Sequence, residues 1–322
     1  KKFNDLIILK IKETQPNLSL KINKISIKLN PFNLAINVKT LGANLIHKNR
    51  LIELENIKSQ ISLRSLIKDQ FALTEITIST KSIPLKNLIG LINTIKNDTR
   101  LLIAEQFIKS GYITADLKFY FNEIGEINKN FEINGIVNDA KLSLLKKNIT
   151  KLNFIFQITD KNFNFKDLTL SLNKKAISIP NLKIQKKNNE FFVSGKLNNK
   201  ELNLKGNEIN DFIKNEFLEI NLKEIIFSSD MNFAFNIDQK FKIKNLDIDS
   251  IIEIKKLKLN NFFKKNSFLP KMKDNIIFKK QKIKISYIKN KIDINGTGNV
   301  FLQDNLDIIS YKIQKNKDKY TF

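Results

Sequence analysis

Side chains able to do covalent or metal chemistry are scarce in this sequence. It holds one histidine and no cysteine, which excludes disulfides, thiolate metal sites and cysteine nucleophiles together. His47 follows Leu45-Ile46 and has no acidic residue or second histidine at ligand spacing. A metal site or a general base needs positioned neighbours, so His47 is read as an ordinary surface or strand-end histidine. Asp247 and Asp249 share one strand face, where paired carboxylates are ordinarily solvated. Gly296 and Gly298 in INGTGN look like half of a dinucleotide loop, yet no helical pattern follows, and a β-turn or bulge is the better account. There is no GxSxG, no Gly-rich phosphate loop and no EF-hand spacing. The expectation is a protein that is not an enzyme, with no catalytic residue, no metal and no cofactor.

Apolar chemistry has far more to draw on. The 25 Phe residues fall with Ile and Leu at every second position of segment after segment, the period of a β-strand with one buried face. Ile113, Ala115, Leu117, Phe119 and Phe121 share one phase, and Thr114, Asp116, Lys118 and Tyr120 share the other. Phe154 and Phe156, Phe163 and Phe165, and Phe233 and Phe235 repeat the pattern, each followed within a few residues by Asn, Asp, Lys or Gly. Strands at a spacing of ~8–12 residues with turn signals between them predict a large antiparallel meander. One amphipathic helix is expected from Pro84, with Leu85, Leu88, Ile89 and Ile92 on one stripe. A second is expected over Asp98 to Phe107 and a weaker one over Asn210 to Phe217, while Asn260 to Asp274 is ambiguous because Pro270 limits a helix there.

A sheet with one apolar face must cover it, since each fully buried Leu, Ile or Phe contributes about 1.5–3 kcal/mol relative to exposure. The expected helices are too few to do so. A second sheet, closure into a barrel, or a curled trough around an apolar ligand remain open on periodicity alone. Almost no polar handle is expected among the buried positions, which suits acyl chains better than a polar small molecule.

The remaining composition sets bounds. The usage is rich in Lys, Asn, Ile, Leu and Phe, and a net charge of +24 favours anionic surfaces by long-range attraction. The lysines are scattered along alternating segments, and no Arg-rich arm or aromatic-basic motif singles out nucleic acid as a partner. No run approaches the ~20 apolar residues of a membrane span. The chain opens on Lys1 rather than Met, which reads as a fragment or a processed form. With little change in composition along the chain, the least arbitrary division is at Gly111: residues 1–110 with the helical insertion, and residues 111–322 carrying the continuing β series.

From Leu18 to Ser79 the succession LSLKINKISIKLNPFNLAINVKTLGANL and LIELENIKSQISLRSLIKDQFALTEITIST resembles the AsmA-like family of Gram-negative bacteria, which includes YhdP- and TamB-type members. IPLKNLIGLINTI, FIKSGYITADLKFYF, FEINGIVNDAKLSLL and FFVSGKL are similar to the central region of the YhdP-type members, with Gly111, Gly135 and Gly195 among the matching positions. The resemblance implies a mainly β fold, a long antiparallel sheet curled like a taco around an apolar groove. It further implies a periplasmic protein, anchored to the inner membrane by an N-terminal segment missing from this chain. Such a protein carries phospholipid between the inner and outer membranes. The expected acyl-chain lining, taken from phase alone, is Ile113, Leu117, Phe119, Phe121, Phe154, Phe156, Phe163, Phe165, Phe233 and Phe235. The rival expectation is a structural or adhesive β-sandwich whose apolar faces seal one another; an outer-membrane barrel, which needs longer strands and aromatic girdles, ranks below it.

Overall fold

The structure is a computed structural model. It describes residues 18–47, 50–70, 72–96, 105–126, 128, 130–144, 147–188, 190–206, 208, 222–240, 242–260, 275–303, 305–316 and 319–321. The weaker helix expected over Asn210 to Phe217 lies outside the described residues, as does the ambiguous stretch beyond Asn260, residues 261–274. Of the helix expected over Asp98 to Phe107, residues 98–104 lie outside them too, and the described end, 105–107, is helical. The chain is mainly β and antiparallel, with few and short helices, and it divides into two compact units, Lys1–Asn173 and Lys174–Phe322. Gly111 lies inside a strand of the first unit.

The first unit contains β1 (Leu18–Lys21), β2 (Lys24–Asn30), β3 (Ala35–Leu41), β4 (Asn44–His47), β5 (Arg50–Ser62), α1 (Leu63–Ile67), β6 (Leu73–Thr80), β7 (Ile83–Pro84), α2 (Leu85–Lys96), β8 (Ile108–Tyr120), β9 (Glu132–Leu144), β10 (Lys147–Ile158) and β11 (Asn162–Leu172). Its sheet runs β2–β3–β5–β6–β8–β9–β10–β11, every neighbour antiparallel. The long β5 pairs with β3 through Asn56–Ser62 and with β4 through Arg50–Glu53, and β4 pairs in turn with β1. Among the described residues no pairing joins β2 to β11, so the sheet is open rather than closed into a barrel.

Pro84 stands immediately before α2, where its fixed φ suits a helix start and its missing N–H costs nothing. The helix packs on β5, β7 and β8, and the Asn87 side-chain amide donates to the Leu51 carbonyl at 3.1 Å. Leu88 is buried, as are Ile83, Ile113 and Val137 of the nearby strands. This is the one stretch of sheet that a helix covers among the described residues. At the end of β5 the hydroxyl of Ser62 accepts from the Ser65 N–H at 3.2 Å, capping α1.

The second unit is a plain meander, β12 (Lys175–Lys187), β13 (Glu190–Lys205), β14 (Leu222–Ile237), β15 (Ile243–Asn260), β16 (Asn275–Ile288), β17 (Lys291–Phe301), β18 (Asp307–Asn316) and β19 (Lys319–Thr321), each strand antiparallel to the next. Lys289 and Asn290, both at positive φ, make the two-residue turn between β16 and β17, a geometry whose twist matches that of paired strands. Between β14 and β15 the Asp238 carboxylate accepts from the N–H groups of Lys240 and Lys242 at 2.9 and 3.0 Å. It also pairs with Lys244 at 3.3 Å, and these donors, Lys242 foremost, hold its pKa below the usual carboxylate range. A tight core forms at one end of the sheet, where Leu259, Ile276 and Val300 are buried against Leu222, Leu257, Phe278, Leu302 and Ile309.

Candidate lipid-binding surface

Strand register decides which of the phased residues meet. In the first unit Ile113 opposes Val137, which opposes Phe154. Ala115, Gly135, Phe156 and Phe165 form the next row across β8, β9, β10 and β11, and Leu117, Ile133, Ile158 and Phe163 the row after that. Phe119 opposes Ile76 of β6. Phe121 continues the phase just past the end of β8, its N–H donating to the Thr74 carbonyl at 3.0 Å. The candidates in this unit therefore gather on one face. Ile113, Leu117 and Phe156 are buried there; Phe119, Phe121, Phe154, Phe163 and Phe165 are half-buried. Phe154 packs edge-on against Phe165, ring centroids 5.6 Å apart, and lies 6.0 Å from Phe156.

Bulges keep this face in phase where the pairing slips. Between Leu152 and Phe154 the partner strand steps from Ala140 to Val137, and between Ile149 and Leu152 it steps from Leu142 to Ala140. The extra residues lie around Asp139 and Lys151, both at positive φ. Asn153 fastens the slip by accepting from the Asp139 N–H and donating to the Lys151 carbonyl, each at 2.9 Å. One bulge on each strand cancels the other, so Ala140 and Leu152 stay buried on the apolar side.

The second unit has its own apolar face. Phe233 opposes Gly195 and Ile248, Phe235 opposes Val193, and the two rings stack at 6.0 Å with planes 24° apart. Both are half-buried. The Phe233 row runs on through Tyr287 and Ile292; Ile285 and Ile294, then Ile283 and Gly296, form the next rows of the same face across β16 and β17, and Tyr311 of β18 opposes Gly296. Its burial pushes the phenol pKa up.

In both units an aromatic ring sits against the glycine it opposes on the neighbouring strand. A Cβ on Gly135 would stand 2.6 Å from the Phe156 ring, one on Gly195 would stand 2.7 Å from the Phe233 ring, and one on Gly296 would meet the Tyr311 ring. Only glycine leaves room for a large ring to lie down across the neighbouring strand. INGTGN is thus a strand segment within β17, with Gly298 opposite the irregularity in β16 between Lys279 and Lys282.

The expectation of almost no buried polar handle needs correction. Thr40, Asn56, Ser79, Thr80, Ser250 and Gln281 are buried. Two of them serve the sheet itself: Thr80 accepts from the Ala115 N–H at 2.9 Å and Thr40 from the Ile57 N–H at 3.1 Å. Gln281 is 3% exposed; its amide donates to the Asn299 carbonyl at 2.8 Å, while its Oε1 meets no partner among the described residues. It occupies an apolar-phase position opposite Ile254, so a pattern search for Ile, Leu and Phe passes over it.

The opposite faces carry charge. Lys118 pairs with Glu75 at 3.2 Å and Lys196 with Asp230 at 2.8 Å. Tyr120 and Glu75 hold the Lys118 amine above the usual lysine range. Ile136 and Ile155, paired across β9 and β10, interrupt this polar phase in a depression of about 520 Å³ that Thr114, Asp116, Asn134 and Gln157 also line. His47 ends β4, and Asp247 and Asp249 are exposed on β15. No three His, Asp or Glu side chains come together as a metal would need among the described residues. No described helix is long and apolar enough to cross a membrane. No protein-family model, curated protein or solved structure matches this chain.

Proposed function

We propose that this chain is a segment of an AsmA-like, non-enzymatic lipid bridge of the cell envelope, its apolar faces sheltering phospholipid acyl chains between the inner and outer membranes. The reading places it in the periplasm, held to the inner membrane by a segment outside this sequence. One observation carries it: Phe154, Phe163, Phe165, Phe233 and Phe235 share apolar faces with their neighbours yet stay half-buried, on strands that described helices leave uncovered. Each methylene of an acyl chain gains up to about 0.8 kcal/mol over water when such a face removes it wholly from solvent, and the charged opposite faces meet the surrounding water. No cofactor or metal enters this work.

The self-sealed scaffold stands as the second reading, favoured by the burial of Ile113, Leu117 and Phe156. Native mass spectrometry and lipid extraction of the purified chain separate the two. The conduit predicts co-purifying phospholipid whose amount falls at least severalfold in the double variant Phe154→Ser, Phe165→Ser and, separately, in Phe233→Ser, Phe235→Ser, with circular dichroism unchanged. A stably folded chain that never carries lipid leaves the scaffold reading.

A further inference from the structure

A second apolar surface lies at the tip of the β2–β3 hairpin and on α1 beside it. The turn between β2 and β3 presents Phe32 at 96% exposure, with Leu29 at 64% just before it. The neighbouring α1 presents Ile67 at 86% and Leu66 at 51%. The two elements sit side by side: Ala35 opposes Ser62 across β3 and β5, and the Leu63 N–H donates to the Leu34 carbonyl at 2.8 Å. Leu34 itself is held at φ 45°, a left-handed conformation that costs a bulky side chain, in a turn closed by the Leu34 N–H to the Pro31 carbonyl and the Asn33 N–H to Asn30 Oδ1.

Two features identify what this tip meets. Phe32 and Ile67 are almost wholly exposed, so both side chains can enter an apolar phase with no rearrangement of the fold. The tip also carries cations, with Lys28, Arg64 and Lys68 all exposed on the same two elements and Asp69 among them. Exposed large apolar side chains with a Lys/Arg border are the composition of segments that sit in the headgroup region of a bilayer, apolar side inward and cations on the phosphates. The net charge of +24 adds long-range attraction of the same sign.

We propose that the β2–β3 turn and α1 form a docking tip for the surface of an anionic lipid bilayer, with Phe32 and Ile67 entering the acyl boundary and Lys28, Arg64 and Lys68 engaging headgroup phosphates. This goes beyond the sheltering of acyl chains and uses other residues, so it stands whether or not the sheet faces carry lipid.

The chain has no tryptophan, which makes Phe32→Trp a single reporter in the intact protein. With vesicles of phosphatidylcholine and phosphatidylglycerol, its emission shifts to the blue and is quenched by brominated acyl chains; vesicles of phosphatidylcholine alone or high salt weaken both effects. The control variant Tyr112→Trp, at a site 55% exposed on the polar phase of β8, does not respond. The double variant Phe32→Ser, Ile67→Ser lowers the vesicle-bound fraction at least about tenfold, with circular dichroism and co-purifying lipid unchanged. A silent reporter in the Phe32→Trp variant, an equal response from the Tyr112→Trp control, or a blue shift that grows with protein concentration without vesicles overturns the proposal; the last assigns the tip to a second copy of the chain. Lipid retention by the wild type is a separate readout, so loss of the conduit and loss of the docking tip are distinguishable results.

Discussion

Where a phenylalanine ring lies across a neighbouring strand, the residue beneath it has no room for a side chain. Gly135 shows how strict this is: an added Cβ would stand 2.4 Å from the Thr114 carbonyl oxygen and 2.6 Å from the ring of Phe156. The first obstacle is backbone and cannot rotate away. Gly135→Ala therefore moves β8 or lifts Phe156, and the expected cost is about 1–3 kcal/mol, as for other overpacked interiors. Chemical denaturation followed by circular dichroism measures it, and an unchanged midpoint would show that the sheet yields freely there. At the same scale, the buried threonines show polar atoms used to fasten backbone rather than to hold a ligand, since Thr40 and Thr80 each take a strand N–H.

Among the elements, α2 has the clearest task. It is amphipathic, it follows Pro84 without a gap, and Leu88 is buried where the helix meets β5, β7 and β8. Leu88→Ala leaves a cavity that a pinned helix cannot fill, and the expected loss is about 2–5 kcal/mol. A thermal or urea transition detects a loss of that size readily, and a cost below about 1 kcal/mol would mean that the helix lies loosely on the sheet. The bulges are the second device at this scale. Each inserted residue would flip every side chain beyond it to the wrong face, and the paired slips in β9 and β10 undo one another. Lysine and asparagine stand at several of these positive-φ positions, Lys151, Lys280 and Asn245 among them.

Across each whole unit, stability is passed from strand to strand. Apart from the covering helix α2, nearly all packing lies between strands adjacent in the sheet, and in the second unit those are also adjacent in sequence. An array of this kind behaves as a sum of local interfaces, so its ends open before its middle. Hydrogen exchange should find the slowest amides in β8, β9 and β10 of the first unit and in β14 and β15 of the second, where paired neighbours are longest, and the fastest in β2, β18 and β19. Uniform protection along either sheet would contradict this and indicate all-or-none unfolding of the unit.

Period-two alternation was enough to determine that the chain is mainly β and antiparallel and that Ile113 and Leu117 point to the buried side. The 3.6-residue stripe of Leu85, Leu88, Ile89 and Ile92 likewise determined a helix directly after Pro84, because these features depend only on which face of a strand or helix each residue takes. Tertiary pairing decided the rest. Leu152 meets Ala140 rather than Asp139 because the bulge at Lys151 shifts the register and the one at Asp139 restores it before Phe154, and such bulges carry no signal beyond an ordinary Asp or Lys. Phe156 is buried while its partner Phe165 is half-buried because packing across strands, not phase, sets exposure. Gln281 is buried opposite Ile254, and Phe32 is exposed to solvent, for the same reason: the burial of a side chain is a property of what the fold brings against it, which one-dimensional order does not contain.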